Sequence, residues 1–337
     1  MNWSPLDWFG DVQQALFEAV VQPLMFAAGL GNLLEDAFHA TGWLLVGLIQ
    51  IAVMLTLMRA LERWRPVEPL TDRAAVRTDV LYTLIHRLGL FRVLLFFTVD
   101  PIWDWLVGQA RLQGLSGFDL DRLWPGVTDI AWVSFGLYLL LFDLLDYGFH
   151  RAQHQFHWWW QLHALHHSQR QMTLWSDNRN HLLDDLLRDS LFVVVALVVG
   201  VPPGQFIALV ALGQLIESLS HANVRLDFGW LGSRLLVSPR YHRLHHAIGL
   251  GHESKGAGTL GGHNFAVLFP LWDLLFCTAR YDGLDHPTGI RDQLPAEGSA
   301  QGCAQGAGPS RATAGRDYGR GFWAQQWLGL KRLAGRA

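Results

Sequence analysis

Cysteine is nearly absent from the chain. Cys277 and Cys303 are the only two in 337 residues, which excludes a disulfide scaffold. Charge is scarce as well, at 16% of residues against about 25% in an ordinary soluble domain. Neither sign dominates it. A formal net charge of −3 offers no basic surface to a phosphate backbone, and no nucleic-acid partner is expected. The amino terminus lacks a basic stretch, carrying Asp7 and Asp11 instead, so no signal peptide is expected. Internal repeats are missing too. Apolar residues fill the space: 50% of the chain is hydrophobic, with 16 Trp and 19 Phe. That content excludes a disordered chain and suits one that meets a membrane interface.

Helical crossing of a bilayer takes about 20 apolar residues. Residues 43–58, 80–99, 130–145 and 190–216 approach this. The second stretch is interrupted by His86, Arg87 and Arg92, and the fourth is broken at Pro202-Pro203-Gly204. A break of that kind predicts a helical hairpin or a kinked re-entrant pair. Residues 15–34 are expected to lie at the interface or to insert partly. The loop after the first stretch carries Arg59, Arg63, Arg65, Arg73 and Arg77, whereas the one after the second carries Asp100, Asp104, Asp119, Asp121 and Asp129. The positive-inside rule then places the first loop in the cytoplasm. Counting spans from there brings the chain back to the cytoplasmic side after residue 149 and again after the hairpin.

Those two returns are where histidines cluster. His150 and His154 form HxxxH; His163, His166 and His167 form HxxHH; His242, His245 and His246 form a second HxxHH. Histidines three or four apart share one helical face, and neutral imidazole binds Fe, Zn, Cu or Ni. Adjacent histidines point about 100° apart on a helix, so His166-His167 and His245-His246 serve two metals more naturally than one. His221 emerges from the hairpin at the same level and joins the candidate ligands; His181, just before the hairpin, is the best remaining one, with His263 in reserve. Asp146, Asp177 and Glu217 each stand four residues before a candidate, His150, His181 and His221. Asp146 and Glu217 are therefore expected to accept the second ring N–H of their histidines. His39, His86, His157, His252 and His286 stand alone and are read as surface or packing residues.

A nearly all-imidazole site leaves its metal cationic. Zinc hydrolysis usually keeps three protein ligands and an open position; iron so bound suits activation of dioxygen against an unactivated C–H bond. In a membrane the nearest such bonds belong to acyl chains, sterols and isoprenoids. Two other readings share these residues: a zinc-dependent lipid hydrolase, and a non-enzymatic membrane metal-binding or transport protein. The second would need ionisable groups lining a route through the bilayer, and His86, Arg87 and Arg92 are the interior candidates.

Between about Leu137 and Tyr281 the chain resembles the fatty acid hydroxylase superfamily, which includes sterol desaturases and C-4 methyl oxidases. The resemblance rests on Asp146-Tyr-Gly-Phe-His150-Arg-Ala-Gln-His154, His163-Ala-Leu-His166-His167, Ser220-His221-Ala-Asn223, Ser238-Pro-Arg-Tyr-His242-Arg-Leu-His245-His246, Asn264-Phe265 and Trp272-Asp-Leu-Leu-Phe-Cys277-Thr278. Two family glycines are replaced, by Ala266 and Cys277. The resemblance implies a membrane-bound di-iron oxygenase using O2 and electrons from a separate carrier of ferredoxin or cytochrome b5 type, with zinc a possible substitute metal. It implies one metal on His150, His163, His166, His242 and His245, and another on His154, His167, His221 and His246, with His181 to complete it. The expected architecture is all-α: an integral membrane protein of about four membrane-embedded helices with a cytoplasmic, histidine-rich helical cap, in the inner membrane if the source is bacterial. Residues 1–127 would form a two-span region, 128–282 the catalytic domain, and 283–337 a flexible linker (297–315, with Cys303) and a basic amphipathic tail. The glycine-rich stretch 249–262 is expected as a loop or flap. Trp158, Trp159 and Trp160 are expected as an interfacial belt or at a lateral substrate entrance.

Overall fold

The computed structural model describes residues 5–114, 117–248, 261–281, 286–294 and 318–336. The expected linker, Cys303 and most of the 249–262 loop lie outside the described residues. Among those described, the chain is helical and contains no strand; one isolated bridge joins Ala247 and Thr288.

Helix α1 (Pro5–Leu16) passes through a π turn into α2 (Gln22–Ala27), and α3 (Leu34–Val53) passes through another into α4 (Arg59–Trp64). The second run is continuous enough that Gly31–Trp64 makes one apolar helix of 34 residues. Helix α5 (Arg73–Arg87) starts where Asp72 accepts the N–H groups of Ala74 and Ala75, a side-chain cap for otherwise unpaired donors. Gly89, at φ 76°, ends it, and α6 (Leu90–Thr98) leaves at an angle of 51°. Then follow α7 (Asp100–Leu112), α8 (Ala131–Gln155) and α9 (His157–His167), with α9 folded back on α8. Helices α10 (Leu182–Val199) and α11 (Pro203–His221) form the hairpin expected from the Pro-Pro-Gly break. Gly200 ends the first arm in the left-handed region at φ 77° and Pro203 opens the second, the usual division of labour between these residues. Short helices α12 (Gly229–Leu235), α13 (Pro239–His245) and α14 (Leu271–Leu275) precede the carboxy-terminal α15 (Phe322–Leu333).

Two helices, Gly31–Trp64 and Ala131–Gln155, are long and apolar enough to cross a membrane, or three spans arise if the bent α5–α6 pair counts as one. The expected number of about four is therefore not reached by length and composition. The hairpin falls short because α10 carries Asp184, Asp185, Arg188 and Asp189 in its first half.

Close packing assembles these helices. At Gly47 of α3 an added Cβ would stand 1.7 Å from the carbonyl oxygen of Arg87, so only glycine lets the two backbones meet. Tyr138, Phe142, Phe192 and Leu209 interlock α8 with both hairpin arms, each burial worth roughly 1.5–3 kcal/mol. The arginine-rich loop after the first span is pinned beside α11: Asn223 accepts the N–H groups of Val67 and Glu68 at 3.1 Å and donates to the Glu68 carbonyl at 2.8 Å. The tail helix α15 does not stand apart. Its Gln326 donates to the Tyr82 hydroxyl and the Asn180 carbonyl and accepts from Leu182 N–H, docking it on α5 and α9. Only its outer face, with Trp323 and Trp327, is exposed. The Trp158–Trp160 run also divides: Trp158 is exposed, Trp159 donates to Asp184, and Trp160 is buried in the core.

Candidate metal centre

Four helices deliver imidazoles to one place. Helix α8 presents His150 and His154 one turn apart, α9 presents His163, His166 and His167, α11 ends on His221, and α13 carries His242 and His245 with His246 just past its end. Helix α13 is short, and its start is fixed by the Ser238 hydroxyl accepting Tyr241 N–H and by Pro239 at the first position. The rings form two groups, His150, His154, His167 and His245 in one and His166, His221, His242 and His246 in the other. In each, one nitrogen per ring lies within 4.8 Å of the other three, and all eight residues are buried. Adjacent histidines separate: His166 and His167 go to different groups, as do His245 and His246.

Ring orientation tells what these nitrogens are for. His221 Nδ1 lies 2.8 Å from the Glu217 carbonyl. A carbonyl only accepts, so Nδ1 carries the hydrogen and Nε2 is bare. That Nε2 stands 3.2 Å from His166 Nε2 and 3.1 Å from His242 Nε2, which is in turn 3.1 Å from His246 Nε2. A single N–H on His242 cannot serve both neighbours. Four nitrogens at about 2.0–2.1 Å around a tetrahedral ion would be about 3.3 Å apart, so the spacing fits a shared cation. In the other group, His150 Nδ1 donates to the Phe265 carbonyl at 2.8 Å and His245 Nδ1 to the His263 carbonyl at 2.7 Å. Both Nε2 atoms are left buried without a hydrogen-bond partner. Backbone carbonyls thus set the tautomer that a metal requires.

Protonation follows burial. His166, His242, His245 and His246 are held well below the ordinary imidazole pKa, first by burial and then by neighbouring histidines. They are neutral at pH 7, with lone pairs available.

The carbonyls are themselves held. Asn264, between them, sits in the left-handed region at φ 60°, a conformation Asn tolerates better than most residues. Its amide donates to the Tyr241 and Arg280 carbonyls and accepts Arg280 N–H. Asp273 accepts the N–H groups of Phe265 and Ala266 and the Tyr241 hydroxyl, at 2.8–2.9 Å.

Some expected placements differ. His181 joins neither group: its Nε2 donates to the Gln326 carbonyl at 2.9 Å and its Nδ1 caps α10 by accepting Leu183 N–H. Both nitrogens are engaged, so no lone pair remains for a metal. His163 lies between the groups, its ring 5.2 Å from both His150 and His166. Its Nδ1 is 3.3 Å from Asp184, and its Nε2 is buried and without a partner. Asp146 pairs with Arg188 at 2.7 Å and does not reach His150. Glu217 supports His221 through its backbone carbonyl while its carboxylate faces Arg188 at 3.9 Å. The two-metal division implied by the resemblance also changes, because His150 and His154, on one face of α8, converge on one point. Asp184, which gathers Gln153, Trp159 and His163, escaped the sequence reading; it stands at no helical spacing from any histidine it serves.

Residues 135–278 match the family model described as Fatty acid hydroxylase. The chain is similar to the ornithine lipid hydroxylase OlsE of Rhizobium tropici, with 27% identity over 266 residues, covering 78% of this chain and 76% of that protein. It is also similar to the alkylglycerol monooxygenase of Danio rerio, with 28% identity over 167 residues, 48% of this chain and 35% of that longer protein. No solved structure matches the chain significantly.

Proposed function

Given that residues 135–278 are a fatty acid hydroxylase domain, we propose that the protein is a membrane-bound oxygenase that hydroxylates or desaturates a C–H bond of a lipid at a pair of iron ions. The observation that carries this reading is the pair of buried four-histidine groups, oriented so that bare nitrogens converge. His150, His154, His167 and His245 would hold one ion and His166, His221, His242 and His246 the other, with His163 between them. Bound iron would supply activation of O2 toward an unactivated C–H bond. The chain's own part is to keep the imidazoles neutral by burial, to fix their tautomers through the Phe265, His263 and Glu217 carbonyls and Asp184, and to bring a lipid alongside.

Both named relatives act on lipids, and the apolar helices put this site in reach of a bilayer. The arginine-rich loop pinned to Asn223, two residues from His221, supports a cytoplasmic site under the positive-inside rule. Electrons would come from a separate carrier of ferredoxin or cytochrome b5 type. The test is anaerobic purification with metal analysis, then lipid profiling of cells with and without the gene. About two irons per chain and an O2-dependent lipid product are expected. A zinc-loaded protein whose lipid product forms without O2 would replace this reading with a hydrolase.

A further inference from the structure

Helix α13 turns its histidines to the metal centre and its other side, with Arg240, Tyr241 and Leu244, to a separate pocket. This pocket encloses about 240 Å³ between α12, α13 and the segment that follows α14. Arg234, Arg240 and Arg280 line it against one carboxylate, that of Asp227, which pairs with Arg240. None of the three arginines is buried. Arg234 is held in place by rings: its guanidinium carbon lies 4.8 Å from the centre of the Trp230 ring and 4.7 Å from that of Tyr281. One of its nitrogens donates to the Trp230 carbonyl at 2.6 Å, and among the described residues no carboxylate pairs with it. Stacking of this kind fixes the planar fork and leaves its other N–H groups to an acceptor.

The rim of the pocket is apolar and faces outward. Trp230, Leu231 and Leu235 of α12 are 59–74% exposed. The adjoining α14 exposes Leu274 and Leu275, and the Phe276 that follows it stacks at 5.3 Å on Tyr147, three residues before His150 on the apolar helix α8. Both short helices therefore continue the apolar surface of α8 at its histidine-bearing end, the level at which a bilayer gives way to headgroups.

We infer that this pocket binds the headgroup of an anionic phospholipid, with Arg234, Arg240 and Arg280 receiving the phosphate and the acyl chains lying along Trp230, Leu231 and Leu235. Three guanidiniums against one carboxylate match a headgroup of net negative charge, whereas the ammonium of a zwitterionic one would meet like charge. An acidic protein would answer the arginines but not the exposed tryptophan and leucines. The site also adjoins the scaffold of the metal centre. Tyr241 in its wall precedes His242, and the backbone of Arg280 exchanges hydrogen bonds with the side chain of Asn264, the residue between the two carbonyls that orient His150 and His245. A phosphate bridging Arg234 and Arg280 ties α12 to that loop, and a ligand that binds only the folded chain stabilises it.

The test uses purified protein stripped of lipid in detergent and offered phosphatidylglycerol and phosphatidylcholine of the same acyl chains. Native mass spectrometry counts the lipid retained, and melting curves are recorded with each. Phosphatidylglycerol should be retained about tenfold better and should raise the melting temperature. Arg234→Gln and, separately, Arg280→Gln should bring retention to parity while their melting temperatures in phosphatidylcholine stay at that of the parent. Arg122→Gln, which removes an exposed arginine near the opposite end of α8, should keep the preference. Equal retention of the two lipids by the parent would leave the arginines to an acidic protein and overturn the lipid site. A preference that survives both pocket substitutions, or that Arg122→Gln abolishes equally, would reduce it to overall charge and refute the site. Displacement of the lipid by inorganic phosphate would make the pocket one for free anions, and the lipid assignment would fail.

Discussion

The carbonyl oxygen of Phe265 lies 2.8 Å from Nδ1 of His150, so a loop residue 115 positions away decides which nitrogen of a candidate ligand is bare. Asp273 holds that loop by four hydrogen bonds, from Phe265, Ala266, Tyr241 and Thr278. Asp273→Ala would leave these donors buried and unsatisfied, at a cost of about 3 kcal/mol or more. The expected outcome is a lower unfolding temperature together with substoichiometric iron. Full iron loading in this variant would show that the carbonyls do not need the anchor.

His245 and His181 lie in equally buried settings but should respond differently. His245→Ala removes a nitrogen from the first group and is expected to abolish lipid product and cut bound iron to about half. His181→Ala removes a helix cap and the link to Gln326, so it should cost about 1–2 kcal/mol of stability and leave the iron content unchanged. Metal analysis of the two purified variants, alongside their melting curves, separates the roles. Loss of iron from His181→Ala in protein that is still folded would return it to the ligand set.

These contrasts mark what the sequence could convey. Local spacing is written in the chain, so the HxxxH and HxxHH faces, the separation of adjacent histidines and the helical hairpin at Pro202 were legible. Tertiary partners are not. Asp146 stands one helical turn before His150, yet Arg188 from α10 claims its carboxylate. His181 sits at the right level but is consumed by Gln326 from a helix 145 residues on. The number of spans was less legible: length and composition support two, or three with the bent α5–α6 pair, and α10 opens with Asp184, Asp185, Arg188 and Asp189, which line the cavity beside the histidines.

Cys277 occupies a place where glycine was expected, and its backbone stands at φ 58°. A side chain in the left-handed region costs about 1–2 kcal/mol, partly offset in any glycine replacement by the greater freedom of the unfolded chain. Cys277 is exposed, so little packing would be lost. Cys277→Gly is expected to raise stability by about 0.5–1 kcal/mol in thermal or denaturant unfolding, without change in iron content. A destabilised variant would mean that the thiol makes a compensating contact.

Acid should weaken the metal-free protein in a definite window. The pKa values of His166, His242, His245 and His246 lie below the ordinary value in the folded chain because burial opposes their charged forms. Unfolding exposes them, and they then titrate near about 6.5. Between those values the unfolded state binds more protons than the folded one, so stability rises with pH there. It is complete above about 6.5 and lost as pH falls through the folded-state values. Metal-loaded protein should resist to lower pH, because protons must then displace an ion that requires neutral imidazole. Melting curves of iron-free and iron-loaded protein between about pH 5 and 8 check both statements. A metal-free protein that grows more stable below pH 6 would show that the rings carry charge in the folded state, and a charged ring has no lone pair to give to either cation.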